Sequence, residues 1–428
     1  MSSHPRQISA RHIAGFSLFL AAVSSLPAQV VMGQPREPKA PPLQNTGAGA
    51  SSAPKPGSLA SLKSAMSKQG PLALWGPAAL RPYASYSFQY GDGLLRVPGE
   101  PVNSSLQMLT LGLLTEIGTV WTLDGSLTRS MYSSRLLSDT FDSSIRVAGR
   151  WSFDAWNFGV SQGYISNSPI VAETGGQNNE RTTTTGADVA YSPGDKLSTD
   201  ASVGYSRRLA DPRGRTVTWT GSDWTQVTVS GWINYQFTPK FSASVGYLMG
   251  WDDLSAGDDM SYSRPQVRTR WNPTDRLSFA ASWGMERREV DAVGGKNSDS
   301  PVYDATVTYN PTLTTSLSLS GTRDTSTSYF NDQTIQTTRV SLGFGQRLLQ
   351  RYFLSLNASR GESEYTATNT FFVFDRSDEF DSYGASVSTS FLRRGSVSVS
   401  YNYNRNASNS NVYRFSSRQL GFNVGYRF

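Results

Sequence analysis

The stretch that decides the fold is Leu420–Phe428, LGFNVGYRF, in which apolar residues alternate with others up to the last position. The apolar positions are Leu420, Phe422, Val424, Tyr426 and Phe428. Successive side chains of a β-strand point to opposite faces, so these five share one face. A soluble domain usually leaves its last residues in water. The pattern instead predicts a strand that carries a terminal aromatic ring on an apolar surface.

The same alternation recurs from Leu80 onward. FSASVGYLMGW at 241–251, LSFAASWGM at 277–285 and YDATVTYN at 303–310 are clear cases. The runs are about ten residues long, which suits a tilted strand that crosses a bilayer, whereas strands of globular proteins average about 5–6. The opposite face carries mainly Gly, Ser, Thr, Asn and Arg, which are too small and polar for the core of a β-sandwich. The alternation therefore predicts lipid on one side of each strand and water on the other.

Short turns and long polar loops alternate along the chain, as they do in outer-membrane barrels. Eight short turns are predicted, near Gly118, Asp154, Ser192, Pro239, Pro273, Pro311, Leu348 and Gly395. Aromatic residues cluster beside them, as expected of a membrane-interface girdle: Trp121, Trp151, Trp156, Tyr191, Phe237, Trp271 and Tyr309. A bilayer does not tolerate free sheet edges, so the first and last strands must pair. We predict an all-β fold, a closed antiparallel up-and-down transmembrane β-barrel of about 18 strands over residues 80–428.

The first 79 residues have a different character. Residues 1–28 resemble a secretory signal peptide, because Arg6 and Arg11 precede an apolar run at 13–26 that is short for a membrane span. An uncleaved anchor is the alternative. Residues 29–79 are rich in Pro, Gly and Ser and are predicted to be a flexible periplasmic linker. Within it, residues 58–70 could form a short helix, acting either as a plug or peg or as a fraying part of the linker.

Composition argues against an enzyme. The chain has no Cys, and its two His residues, His4 and His12, both lie in the predicted signal peptide. The mature chain would then lack the Ser–His–Asp and Cys–His constellations. Paired-carboxylate chemistry remains open by composition, but no acidic pair is marked out. We expect no catalytic residues, no cofactor and no metal site, and an exported chain without a basic run is a poor partner for nucleic acid.

The loop WDDLSAGDDM at 251–260 carries four Asp residues. Their spacing does not match an EF-hand loop. The loop could bind Ca²⁺ or be a solvated acidic loop, and we expect the solvated loop.

The basic side chains are mostly Arg, and the formal net charge is +6. By the alternation, several Arg share the small, polar face and should line the lumen. These candidates for pore selectivity are Arg146, Arg150, Arg208, Arg264, Arg268, Arg270, Arg276, Arg288, Arg339 and Arg347. They could form a cationic ladder that favours anions. They could equally pair across strands with the inward acids Asp124, Asp188, Asp200 and Asp304 and stiffen the wall. The run from Arg264 to Arg270 is difficult to neutralise by local pairing, which tips the expectation towards anion preference.

Two resemblances support this interpretation. LGFNVGYRF resembles the C-terminal assembly signal of bacterial outer-membrane proteins, although Asn423 stands where that signal favours Gly. The resemblance implies recognition by the barrel-assembly machinery. GPAALRPYASYSFQYGDGLL at 76–95 and RRGSVSVSYNYNRN at 393–406 resemble the β-barrel porin family often linked with exopolysaccharide export.

Together these features predict a protein of the bacterial outer membrane, in contact with its lipid and lipopolysaccharide. The expected function is a porin-like channel for polar solutes, anions among them, or for exopolysaccharide. The alternative is a closed or plugged barrel with a structural or surface-interaction role.

Overall fold

The computed structural model describes residues 72–92, 103–171, 173, 176–213, 223–370, 375–392 and 394–428. The predicted signal peptide, most of the predicted linker and the possible helix at 58–70 lie outside these residues. No helix among the described residues is long and apolar enough to cross a membrane.

Twenty strands form one antiparallel sheet. They are β1 Ala73–Trp75, β2 Ala78–Asp92, β3 Asn103–Ile117, β4 Trp121–Tyr132, β5 Thr140–Phe153, β6 Trp156–Asn167, β7 Ile170–Val171, β8 Gly176–Tyr191, β9 Leu197–Arg213, β10 Trp224–Thr238, β11 Phe241–Leu254, β12 Asp259–Thr274, β13 Leu277–Asp291, β14 Ser298–Thr312, β15 Thr315–Thr327, β16 Gln333–Leu348, β17 Tyr352–Ala367, β18 Asp375–Phe391, β19 Gly395–Ser408 and β20 Phe415–Arg427. A single 3₁₀ turn, Asn411–Tyr413, precedes β20.

The sheet closes on itself because β20 pairs with β2, in a register that joins Tyr90 to Leu420 and Tyr83 to Arg427. Two of the strands, β1 and β7, are only three and two residues long. The other eighteen, β2–β6 and β8–β20, form the wall, each paired with its neighbours in chain order. The predicted closed antiparallel barrel and its strand number are confirmed. The first wall strand begins at Ala78, two residues before the predicted boundary.

Short turns connect the strands at one end of the barrel. They follow β3, β5, β8, β10, β12, β14, β16 and β18. Gly118, Asp154, Ser192 and Pro239 lie in these turns, and Leu348 and Gly395 are the strand residues directly next to them. Pro273 and Pro311 fall inside β12 and β14, and the turns come just after them, at 275–276 and 313–314. Gly118 and Asp154 adopt positive φ angles of 58° and 52° there, as tight turns require. In outer-membrane barrels the short turns are periplasmic, so we assign this end to the periplasm.

The outer face of the wall carries exposed apolar side chains. Ile233 is 55 % exposed and Val245 is 57 % exposed, which only a lipid environment accommodates over a whole wall. The predicted aromatic girdle lies beside the short turns, where Trp156 and Tyr191 have ring centroids 4.4 Å apart and Trp271 and Phe279 have centroids 5.2 Å apart. The five alternating residues of the C-terminal stretch lie on this outer face, and the Tyr426 and Phe428 rings pack edge to face at 5.2 Å.

The interior of the barrel is polar. Among the described residues, more polar and charged side chains than apolar ones are buried. A barrel with lipid outside and polar groups inside has no conventional apolar core, so lumen-facing side chains carry the candidate site.

Candidate functional site

Strand register separates the lumen face from the outer face. Arg268 pairs with Ser244 and Ser282, whereas its neighbour Val267 pairs with Val245 and Trp283. Applied to every wall strand, this alternation places nine of the ten candidate arginines on the lumen face: Arg146, Arg150, Arg208, Arg264, Arg268, Arg270, Arg288, Arg339 and Arg347.

Arg276 departs from the expected position. It lies in the turn between β12 and β13, beside Asp275, and not on a strand. Its Nη1 donates a hydrogen bond to the carbonyl of Pro311 at 3.0 Å. The two-residue alternation of side chains holds only within a strand, and Arg276 precedes the first residue of β13. The prediction that Arg276 lines the lumen was therefore wrong, and this residue lies at the periplasmic rim.

Arg288 is the centre of a buried ion network on the lumen wall. It is only 2 % exposed and donates to Glu286 Oε1 at 2.9 Å and to Asp252 Oδ2 at 3.0 Å. Gln226 donates its Nε2 to the second oxygen of Asp252 at 2.8 Å and to the Tyr262 hydroxyl oxygen at 3.1 Å. Asp252 therefore belongs to the wall, and the expectation of four solvated Asp side chains in the 251–260 loop was wrong for this one.

Arg264 pairs with acids on an adjacent and a distant strand, and Arg268 pairs with an acid on a distant strand. Arg264 contacts Glu286 of β13 and donates to Asp324 Oδ1 of β15 at 2.9 Å. Arg268 donates to Asp200 Oδ1 of β9 at 2.8 Å and to Asn234 Oδ1 at 2.7 Å. The run from Arg264 to Arg270 is thus partly neutralised across several strands, which local pairing could not predict. For these two and for Arg288, cross-strand pairing describes the contacts better than a cationic ladder.

Three lumen arginines also stack on aromatic rings that lie over a glycine of the neighbouring strand. Arg268 Cζ is 4.2 Å from the centroid of Trp232, and a Cβ atom at Gly246, which is paired with Trp232, would collide with that ring. Two further sets repeat the arrangement: Arg288, Tyr262 and Gly250, and Arg339, Phe380 and Gly361. The missing Cβ lets each ring lie flat, and the ring holds the guanidinium against the wall through a cation–π contact. These stacks keep bulky side chains out of the lumen centre.

Four candidate arginines present exposed side chains to the lumen. They are Arg146, Arg150, Arg270 and Arg347. Arg150, Arg270 and Arg347 lie within four residues of the periplasmic end of their strands. The periplasmic half of the lumen therefore offers the solvent-accessible positive charge.

Two loops meet across the opposite, extracellular mouth. Glu173 lies in the loop between β7 and β8, and Tyr329 in the loop between β15 and β16. Glu173 Oε1 accepts the main-chain N–H of Tyr329 at 2.8 Å and also the Ser328 hydroxyl. Arg376 of β18 donates from Nη1 to the Glu173 carbonyl at 3.3 Å. Glu173 thereby joins elements from opposite sides of the barrel.

Tyr329 also contacts the barrel wall on the side opposite its own loop, at β8 and β9. Its hydroxyl donates to Glu180 Oε1 of β8 at 2.9 Å, and Arg208 Cζ of β9 lies 4.1 Å above its ring. Val171 and Phe330 pack against the buried pair Ala210 and Tyr329. We call Glu173, Glu180, Arg208, Tyr329 and Arg376 the cross-lumen cluster. Burial raises the pKa of the Glu173 carboxyl, although the hydrogen bonds from Ser328 and Tyr329 and the charges of Arg376 and Arg208 oppose the shift.

Sequence reasoning found the lumen face but missed the cross-lumen cluster and the aromatic stacks. Of the cluster, only Arg208 was a candidate. Alternation says nothing about loops, so Glu173 and Tyr329 gave no signal. The aromatic stacks do have a sequence signal, because glycines and large aromatic residues occur together on the polar face of neighbouring strands, as Trp232 and Gly246 do.

The chain resembles known proteins in sequence over a limited stretch and in fold over most of its length. A family described as "Putative beta-barrel porin-2, OmpL-like" matches residues 232–339, about a quarter of the chain, from β10 to β16. No curated protein matches the sequence significantly.

Solved structures resemble the barrel at low identity. OpdL of Pseudomonas aeruginosa is 14% identical, with 82% of this chain and 98% of that chain covered and a TM-score of 0.45. OccAB3 of Acinetobacter baumannii is 13% identical, with 82% and 99% covered and a TM-score of 0.43. OpdQ of Pseudomonas aeruginosa is 12% identical, with 82% and 97% covered and a TM-score of 0.43. The closed 18-strand wall with its apolar outer band is itself the architecture of bacterial outer-membrane proteins, and that is where the chain resides.

Proposed function

We propose that the protein is a porin-like channel that passes small polar solutes, with a preference for anions, across the outer membrane. The observation that carries the proposal is the set of exposed arginines on the lumen face, Arg146, Arg150, Arg270 and Arg347, inside a barrel of eighteen wall strands. Barrels of 16–18 strands leave an aqueous interior, unlike those of about eight strands, which side chains fill. A guanidinium in such an interior lowers the energy of a passing anion.

Acids on the same face limit this preference. Asp124, Asp188 and Asp304 also point into the lumen, and Asp200 pairs with Arg268. The net charge felt by a solute is therefore smaller than the number of arginines implies, and we expect selectivity for anions without exclusion of cations.

Single-channel recording under a salt gradient tests the proposal. The reversal potential of the native protein should indicate anion preference, and Arg150→Gln with Arg270→Gln should move it towards zero. Arg276→Gln with Arg351→Gln is the matched control, because it also removes two charges, from periplasmic turns outside the lumen. A reversal potential that is unchanged in the double variant, or that shifts equally in the control, would reject a role for the lumen arginines.

A specific observation also favours a second candidate, a barrel that is closed at rest. The contact between Glu173 and Tyr329 joins loops across the mouth. Folded protein that inserts into a planar bilayer without any conductance step would support the closed form over the channel.

Exopolysaccharide is the less favoured cargo for the same reason. A polymer could pass only if the two loops and the wall residues of the cross-lumen cluster all separated from one another. A small solute needs only a gap beside the cluster. Polymer flux through the native protein in vesicles that equals flux through a variant lacking the Tyr329 side chain would reverse this preference.

A further inference from the structure

A tier of arginines encircles the outer face of the barrel, directly on the extracellular side of its apolar band. In six strands, an exposed outward arginine lies two residues nearer the long loops than an outward apolar or aromatic residue. The six pairs are Arg129 with Leu127, Arg207 with Tyr205, Arg287 with Met285, Arg360 with Ala358, Arg405 with Tyr403, and Arg418 with Leu420. These strands are spread around the wall, so the tier marks one level, the upper boundary of the hydrocarbon.

The tier uses arginine and never lysine. The three lysines among the described residues, Lys196, Lys240 and Lys296, all lie in turns or loops. Either residue could place a positive charge in water. Only the planar guanidinium offers paired donors that match two oxygens of a phosphate group. The choice of residue at this level therefore points to an oxyanion.

Two members of the tier already have carboxylate partners. Arg287 lies 3.2 Å from Glu289, and Arg360 lies 3.0 Å from Glu379. Across the part of the chain that the structure describes, no ion pair involves Arg207 or its neighbour Arg181. Arg129, Arg405 and Arg418 also lack an ion pair there, but Arg129 has no outward arginine on a paired strand, and Arg405 lies directly opposite Asp381. The pair on β8 and β9 is opposed by no acid in the register.

Arg181 and Arg207 are arranged as a pair. Register joins Arg181 to Leu209 and Thr183 to Arg207, so the two arginines are diagonal neighbours on the outer face. Side chains at such positions are about 7–8 Å apart at the backbone, within reach of long side chains that converge on one group. Thr183 adds a hydroxyl between them on the same face, and Tyr205 provides an aromatic surface on the hydrocarbon side.

We propose that Arg181 and Arg207 form an outer-face site for a phosphate group of an outer-leaflet lipid, and that the lipid is lipopolysaccharide. The site meets both halves of such a molecule, because paired guanidinium groups lie at headgroup level and apolar wall lies directly below. The remaining tier supplies a general attraction to the anionic surface. The proposal depends on the orientation of the barrel and is independent of whether the lumen conducts.

The test uses the full-length folded protein in a mild detergent and measures its binding to purified lipopolysaccharide. Three probes are compared: lipopolysaccharide with its lipid phosphates, the same preparation after enzymatic dephosphorylation, and inorganic phosphate as a competitor. The variant is Arg181→Gln with Arg207→Gln. The control is Arg276→Gln with Arg351→Gln, which removes two exposed charges from periplasmic turns. Folding of each variant is checked by heat modifiability on electrophoresis.

We expect tight binding of the phosphorylated lipid, weakened on the order of thirtyfold in the variant, from roughly 1 kcal/mol for each arginine near an anionic surface. The control should bind like the native protein, and millimolar phosphate should not compete, because it lacks the apolar part. Equal binding of the dephosphorylated lipid, or native affinity in a folded variant, would overturn the proposal. Full competition by inorganic phosphate would also overturn it, since the site would then recognise the free anion.

Discussion

The Glu173 carboxylate accepts the main-chain N–H of Tyr329 at 2.8 Å, although their loops are separated by eight wall strands, β8–β15, along the shorter way around the barrel. Tyr329 in turn donates its hydroxyl to Glu180 on β8. Opposite sides of the extracellular mouth are thus joined by hydrogen bonds between side chains and loops. Such contacts can separate without disturbing the hydrogen-bonded wall, which makes them the natural position for control of passage.

The first prediction concerns a chemical cross-link between the two loops that carry Glu173 and Ser328. The sequence has no cysteine, so Glu173→Cys with Ser328→Cys introduces the only two thiols in the chain. A short, reversible bis-thiol reagent should join them because the native side chains are hydrogen-bonded. We expect the cross-link to lower single-channel conductance and reduction to restore it. The two single-cysteine variants, treated identically, are the controls. Unchanged conductance after complete cross-linking, verified by mass spectrometry, would show that the contact does not limit the pore.

The second prediction concerns pH. Burial raises the pKa of Glu173 in the joined state above its ordinary value of about 4.3, which an exposed side chain in separated loops would keep. The joined state therefore binds the proton more tightly. Its added stability is complete below the ordinary value and is lost as pH rises through the raised value. Conductance should fall as pH decreases from 7 towards about 4.5.

Glu173→Gln should remove this pH dependence and hold the conductance near its low-pH level, because the amide oxygen still accepts both hydrogen bonds. Glu116→Gln, which alters a lumen glutamate paired with Arg81 on the wall, should leave the pH dependence in place. A pH dependence that is retained in Glu173→Gln would show that this carboxyl does not control the joined state.

Alternation along the strands was sufficient to predict the wall. A strand with lipid on one side has a strict two-residue period, so Leu420, Phe422 and Val424 reveal the outer face, and Arg268 and Arg270 follow on the inner one. Short turns with Pro, Gly or Asp reveal the hairpins and hence the strand number. Among the ten candidate arginines, the period fails only at Arg276, which lies in a turn and not on a strand.

The partners of the inner side chains could not be predicted. Arg264 of β12 pairs with Asp324 of β15, which is three strands away. Arg268 of β12 pairs with Asp200 of β9, three strands away in the other direction. Such contacts depend on barrel curvature and side-chain length, which a linear pattern does not contain. Loop positions are still less accessible, because Glu173 meets Tyr329 only after the barrel has closed.

The third prediction tests the buried ion network. Arg288→Met removes the ion-pair partner of Asp252 and one of the two partners of Glu286, which keeps Arg264. Both acids are about 1 % exposed at the side chain. Removing one partner of a buried ion pair costs about 3–5 kcal/mol. We expect a loss of that size in unfolding free energy, measured by urea titration of the protein in lipid vesicles. Arg287→Met, at an exposed outer-face position 64% accessible, should change it by less than about 1 kcal/mol.

A triple variant separates charge from packing in the same network. Adding Glu286→Gln and Asp252→Asn to Arg288→Met removes both carboxylates that Arg288 contacted, and Arg264 keeps its second partner Asp324, so most of the lost stability should return. If the triple variant is as unstable as Arg288→Met alone, the loss comes from the removed stacking on Tyr262 and not from stranded charge.

The fourth prediction concerns the glycine that seats an aromatic stack. A methyl group at Gly246 would collide with the Trp232 ring, so Gly246→Ala must push that ring, and Arg268 with it, into the lumen. Overpacking of this kind costs about 1–3 kcal/mol. We expect lower stability by that amount and a smaller conductance step in planar bilayers. Gly231→Ala is the matched control on the adjacent strand, because a Cβ there meets no other atom within 4 Å. Its conductance should equal that of the native protein, and a Gly246→Ala channel of native conductance would mean that the flat ring does not set the width of the lumen.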